Sequence, residues 1–306
     1  MNKDTILLLI IIFLVTSVYV AYKNLMTQSE YLEYEKLKLH LLKKSNLATI
    51  KKPIMWIPIP FEYNSRKWES FGSRTSTEMN MDILYLTVKT TVDHCGESFH
   101  IVLIDDTTYS KLLPGWDVDH SKLPSPLKEQ MSFLAQMKLV YYYGGIVVPA
   151  SFVCTHDLYN LYYDTCVYKK DISVINLQSG KPSLSFVSTY KNNSNMRQIL
   201  NELEYLISRN NTDSVWFDKQ INKIFQQHAR ELPGCHVGIY DKSDNRITID
   251  QLMEEKSLEF CDTSFGVYVP LCQLKNRTMY NWMIYLDHTE IMKTNNFIVD
   301  LIRKNI

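Results

Sequence analysis

Two adjacent carboxylates, Asp105 and Asp106, follow directly on the apolar run FHIVLI at 99–104. Acids at the carboxyl end of a strand stand where open parallel sheets bind their ligands. The same pair fits a second use, capping a short helix over 107–113 by accepting hydrogen bonds from its first N–H groups. Cations are present as well. Arg66, Lys67 and Arg74 follow the first apolar run, where basic residues either face phosphate or stay solvated, and Lys138 lies within a helical stretch. Other constellations read as structure. His156 and Asp157 form a step typical of a turn or cap. Asp241, Asp244 and Asp250 surround a polar loop without the spacing of a calcium loop.

Composition narrows the chemistry further. The chain has 306 residues, with 33 Lys plus Arg against 33 Asp plus Glu, so no bulk charge is available to hold nucleic acid. Its six cysteines, Cys95, Cys154, Cys166, Cys235, Cys261 and Cys272, are scattered without a C-x-x-C pair. That is neither a disulfide scaffold nor zinc spacing, and they read as buried free thiols. His94, Cys95 and His100 are neighbours in sequence but fall across a helix end and a strand. The chain also has no G-x-S-x-G elbow, no H-E-x-x-H and no P-loop.

The elements that must position these residues alternate along the chain. IMWIPI at 54–59 is a short strand that Pro58 ends. Leu84, Val88, Val92 and Cys95 have helical spacing over 82–95, with Gly96 as the stop. The stretch SPLKEQMSFLAQMKLVYYYGGIVVPASFVC at 125–154 organises the rest. Ser125 is placed as an N-cap with Pro126 at the first helical position. Gly144 and Gly145 stop that helix, a buried parallel strand starts at Ile146, and Pro149 ends its pairing by removing a ladder donor. Beyond it, strands are expected at 172–177, 184–188, 236–240 and 267–271, and helices at 194–208, 215–229, 250–255 and 286–304. This alternation predicts an α/β sheet covered on both faces.

Ahead of the domain lies an uncharged apolar run at 5–22, long enough to cross a bilayer as a helix and lacking a good signal-peptidase site. The chain therefore divides into a transmembrane anchor at 1–26, a helical stem at 27–52 and an α/β domain at 53–306. Within the stem, Tyr34, Leu37 and Leu41 give little more than one heptad, too short for a coiled coil. Lys3 precedes the apolar run, whereas Lys23, Lys36, Lys38, Lys43 and Lys44 follow it, which favours a cytoplasmic domain. Three N-x-[ST] triplets, at Asn192, Asn210 and Asn276, would suit a lumenal one.

Ser132, Tyr141, Tyr143, Gly144, Gly145 and Ile146 carry a resemblance. The stretch S-F-L-A-Q-M-K-L-V-Y-Y-Y-G-G-I-V-V-P-A-S from Ser132 resembles S-D-x-x-R-Y-x-x-L-Y-x-Y-G-G-I-Y-x-D-x-D. That is the signature of the DXD-type glycosyltransferase family, which includes yeast-type initiating α-1,6-mannosyltransferases and capsular-polysaccharide synthesis enzymes. The segments at 54–60, 99–106 and 186–200 also resemble family segments. The resemblance implies a GT-A fold, meaning a mixed, mostly parallel sheet covered by helices, and a nucleotide-sugar donor. It makes Gly144, Gly145 and Lys138 candidates for the donor site, and Asp105 or Asp106 a candidate to hold the nucleoside or act as a base.

The family's D-x-D carboxylates hold Mn²⁺ or Mg²⁺ against the donor diphosphate, because these hard ions want oxygen ligands. Here those positions are Pro149 and Ser151, with Ala150 between them. The family's earlier aspartate falls on Phe133 and its arginine on Gln136. Neither metal is therefore expected. Three functions stay open. The first is a catalytically silent, membrane-tethered relative that binds a glycan, a nucleotide or a protein. The second is a transferase that neutralises the leaving diphosphate with Lys or Arg instead of a metal. The third is a structural membrane protein without a ligand.

Overall fold

The computed structural model describes residues 16–17, 47, 51–59, 81–177 and 181–306. Two compact units are present, Met1–Thr49 and Ile50–Ile306. All but residues 16–17 of the expected anchor at 5–22, nearly all of the expected stem, and the basic loop with Arg66, Lys67 and Arg74 lie outside the described residues. Among the described residues, no helix is long and apolar enough to cross a membrane.

The second unit is an α/β fold. Its main elements are β1 (Ile54–Pro58), α1 (Asp82–Cys95), β2 (His100–Ile104), α2 (Leu127–Tyr143), β3 (Gly145–Val147), β4 (Phe152–Cys154), β5 (Ser173–Leu177), β6 (Lys181–Thr189), α3 (Ser194–Ser208), α4 (Ser214–His228), β7 (Arg230–Leu232), β8 (Gly266–Tyr268) and α5 (Phe297–Lys304). A mixed sheet has the order β2-β1-β3-β6-β5-β7, and β4 pairs separately with β8. β1 runs parallel to β2 and β3, and β7 runs parallel to β5. β6 is antiparallel to both of its neighbours, so it alone opposes the sheet direction. The arrangement is mostly parallel and compatible with a Rossmann-like fold.

Strand periodicity separates two cores. Successive side chains of a strand point to opposite faces. Met55, Ile57, Ile146, Val148, Ile175 and Phe186 join one apolar cluster with α1, β4, β8 and α5. Trp56, Val147, Val174 and Val187 are equally buried but belong to the other face, beneath α2 and α4. Burial on both faces explains why the strands read as continuous apolar runs rather than alternating ones.

The double glycine is a structural requirement of this sheet. Gly144 has φ +74° and Gly145 φ +107°, in the left-handed region that side chains disfavour. A Cβ on Gly145 would overlap the Ile54 carbonyl oxygen on β1. The freed Gly144 carbonyl accepts a hydrogen bond from Trp56 Nε1 at 3.0 Å. Helix α2 thus turns into β3 with no room for a side chain at the crossing.

Three expectations need correction. Ser125 does not cap α2; its hydroxyl instead donates to Glu129 Oε1 at 3.0 Å, and no side chain caps the first turn. Residues 236–240 are not a strand. Pro233 starts a 3-10 turn, Gly234–Val237, which Gly238 ends at φ +65°. The strand in that region is β7, just before the proline. Finally, the expected helix over 286–304 breaks in two. Asp287 forms a capping box with Glu290 around a short turn, His288–Ile291, and the Asn296 side chain accepts from Val299 N to start α5.

Candidate functional site

Two recesses open at the carboxyl ends of the parallel strands. The first is a crevice of about 310 Å³ lined by Pro58 at the end of β1, Phe133 and Gln136 of α2, Val147 of β3, and Pro149, Ala150 and Ser151 beyond it, together with Leu84, Leu184, Ser185 and Leu271. No side chain in this lining is ionisable. Its polar groups are also committed elsewhere. Ser151 Oγ donates to the Val269 carbonyl at 2.8 Å, and Gln136 Nε2 donates to Tyr109 Oη at 3.3 Å. A hard divalent cation needs several oxygen ligands, carboxylates above all. The residues present do not fit such an ion. Among the described residues no three His, Cys, Asp or Glu side chains converge into a metal set.

The second recess is a polar cleft of about 870 Å³ beyond β2, lined by Asp106, Ser110, Trp116, Asp117, His120 and Lys128 among others. Asp106 is its centre. The Asp106 Oδ1 accepts from Ser132 Oγ at 2.8 Å and lies 3.5 Å from His120 Nδ1, while Oδ2 pairs with Lys128 Nζ at 3.0 Å. Lys128 and Ser132 come from the first turns of α2, one helical turn apart, so the helix presents both to the same carboxylate. His120 is buried. Its Nε2 accepts a hydrogen bond from Trp116 Nε1 at 3.3 Å, with the two rings stacked. The neutral tautomer therefore carries its proton on Nδ1, facing Ser132 and Asp106. Burial lowers the His120 pKa below 6.5, against the pull of the Asp106 carboxylate.

Ser132, His120 and Asp106 look like a catalytic triad by composition only. In a working triad, one histidine nitrogen faces the serine and the other the carboxylate. Here serine and carboxylate share Nδ1, the serine proton already points to Asp106, and Nε2 is occupied by the indole. No base is free to activate the hydroxyl. The cleft offers acceptors, an ammonium and hydroxyls to a polar ligand rather than a nucleophile.

Tyr109 separates the two recesses. Its ring packs on His120 with centroids 5.3 Å apart, and its hydroxyl accepts from Gln136 in the crevice. Burial holds the phenol far above its ordinary pKa, so it stays protonated.

The remaining candidates scatter. Asp105, beside Asp106 in sequence, closes a turn instead of capping a helix: its Oδ1 accepts from the backbone N–H groups of Thr107 and Thr108, both at 2.9 Å, while Thr108 stands at the start of the short helix Tyr109–Leu112. Lys138 pairs with Glu204 of α3 at 2.6 Å and lies 5.5 Å from the centre of the Trp116 ring. Gly144 and Gly145 sit at the opposite end of β3 from Pro149, away from the crevice. Asp157 accepts from Ser98 Oγ and from Tyr159 N, fixing a turn. Asp241 accepts from Ser243 N and Asn245 N, and Asp250 pairs with Arg277 at 2.5 Å. Trp116, His120 and Lys128 were not singled out in the sequence. Trp116 and His120 lie in an irregular connection without periodicity; the Asp119-His120 step, with Lys128 in the next helix, was the only available signal.

The fold and its recesses define an α/β protein with a ligand-sized polar cleft at the carboxyl end of its sheet. No family model, no curated protein and no solved structure matches the chain.

Proposed function

We infer that this chain is a membrane-anchored, glycosyltransferase-like protein with a GT-A-type domain that binds a glycan, a nucleotide or another protein without metal-dependent sugar transfer. One observation carries the reading. Phe133, Gln136, Pro149 and Ser151 are the four positions that the glycosyltransferase resemblance assigns to charged groups, and all four line the same crevice. Positions distant in sequence that gather at one recess support the alignment behind the resemblance. Their chemistry, with no carboxylate and no guanidinium, supports loss of the metal step. Donor metals contribute several kcal/mol of charge stabilisation in such reactions, on the order of what an enzyme cannot spare. Binding then falls to the polar cleft around Asp106, Lys128 and His120.

A second reading, transfer without a metal, is favoured by Lys128 at the rim of that cleft. An ammonium there could neutralise a leaving diphosphate. The two readings separate in one experiment on the full-length chain in detergent, using a panel of nucleotide sugars, free nucleotides and glycans. Thermal stabilisation by a panel member without sugar release supports the silent reading. Sugar release that scales with protein and is lost in Lys128→Ala supports the second. A panel without any effect removes both.

A further inference from the structure

Two of the six cysteines meet in the fold, although nothing in their spacing suggests it. Cys95 ends α1 and Cys154 ends β4, 59 positions later, and their Sγ atoms are 3.7 Å apart. Both are fully buried. The strand is held at that point, since Cys154 N donates to Thr90 Oγ1 on α1 at 2.9 Å. A disulfide needs the sulfurs at about 2.05 Å, so the two Sγ atoms have to approach by roughly 1.6 Å to close the bond. The cost is the weak contact of Cys154 Sγ with the His156 carbonyl at 3.2 Å. A thiol is a weak donor and a weak acceptor, so two buried thiols gain little from facing each other. The contact of Cys95 with Cys154 is better explained by a bond than by packing.

A second kind of observation agrees. Asn192, Asn210 and Asn276, the asparagines of the three N-x-[ST] triplets, are all exposed. Asn192 and Asn210 occupy tight turns at φ +58° and +50°, flanking α3, and Asn276 ends the short helix Leu271–Asn276. Sequons on exposed turns are open to glycan transfer.

We propose that Cys95 and Cys154 are a disulfide-forming pair, and that the domain resides in an oxidising compartment where its exposed sequons are glycosylated. This opposes the cytoplasmic side favoured by the lysines after the apolar run, and it does not depend on the transferase reading. The oxidant is a disulfide, either of a small thiol such as oxidised glutathione or of an oxidoreductase. A cysteine thiolate of the chain attacks it and releases one thiol. The partner cysteine then attacks the mixed disulfide and releases the second, so the pair loses two electrons and two protons to the oxidant. Cys95 and Cys154 are sealed in the folded domain, and their bond forms before α1 and β4 close on each other.

The test uses the full-length chain expressed in cultured eukaryotic cells. Cells are lysed in denaturant with N-ethylmaleimide, and the protein is digested without reduction and read by mass spectrometry. The expected result is a linked peptide for Cys95–Cys154 and a glycan removable from at least one of the three asparagines. Maleimide on both Cys95 and Cys154, with all three asparagines bare, overturns the proposal. No variant is needed, so a failure to fold cannot imitate either result.

Discussion

Trp116 Nε1 donates a hydrogen bond to His120 Nε2 across 3.3 Å, and this contact fixes what His120 can do. A ring nitrogen that accepts from an indole holds no proton. Trp116→Phe removes the donor that disfavours imidazolium and is expected to raise the His120 pKa towards 6.5. Asp106→Asn is expected to lower it further, since the carboxylate pulls it upward. Both shifts can be read from the imidazole resonances of His120 by NMR titration; equal pKa values in the two variants would contradict the assignment.

The same histidine makes stability pH-dependent. Its folded pKa lies below 6.5, by burial first, opposed by Asp106 and Asp119 and helped by Lys128. On acidification the unfolded chain takes up this proton first. The His120 contribution is therefore complete above pH 6.5 and declines as pH falls through the folded value. The carboxylate Asp119, held down to about 2 by the Ser121 hydroxyl and Lys122, acts only later, between 3.8 and about 2. Denaturant melts from pH 8 to 5 should show a loss in wild type that His120→Gln flattens.

Asp105 and Asp106 are expected to respond differently. Asp105→Ala removes the acceptor that closes the turn before Tyr109 and should cost about 1 kcal/mol, insensitive to salt. Asp106→Asn keeps the Ser132 hydrogen bond and loses the Lys128 charge, a cost of about 1 kcal/mol or less that shrinks as salt rises. Urea melts at low and high ionic strength distinguish them.

At the start of β3, Gly145→Ala forces a side chain into the Ile54 carbonyl at φ +107° and should cost about 3 kcal/mol or more. Ser151→Ala is milder. It leaves the Val269 carbonyl without the hydroxyl that donates to it at 2.8 Å, a loss of about 1 to 2 kcal/mol. A Gly145→Ala protein as stable as wild type would remove the steric account of the double glycine.

Much of the scaffold was legible because local signals agreed with tertiary packing. The spans of α1 and α3 follow from apolar spacing, and Asn193 caps α3 as its residue type favours. Pro58 and Pro149 end β1 and the pairing of β3 as their missing N–H groups require. What failed was competition between signals. Apolar periodicity runs straight through 286–304, while Asn296 restarts the helix by capping it. HVGIY at 236–240 alternates like a strand, but Gly238 turns left-handed. The site was half legible. Asp106 was marked from its position after β2, yet nothing local separates it from Asp105. The difference arises because α2 delivers Lys128 and Ser132 to one carboxylate and not to the other. The reversed β6 strand and the Cys95–Cys154 pair were equally invisible, since both are set by contacts between distant segments.

The central claim is that the crevice around Pro149 and Ser151 holds no divalent metal against a diphosphate. Isothermal titration of the full-length chain with nucleoside diphosphates and nucleotide sugars, each with and without Mn²⁺, tests it directly. The account predicts that any affinity observed is unchanged by Mn²⁺. Saturable binding that appears only with Mn²⁺ and is abolished by EDTA would contradict it.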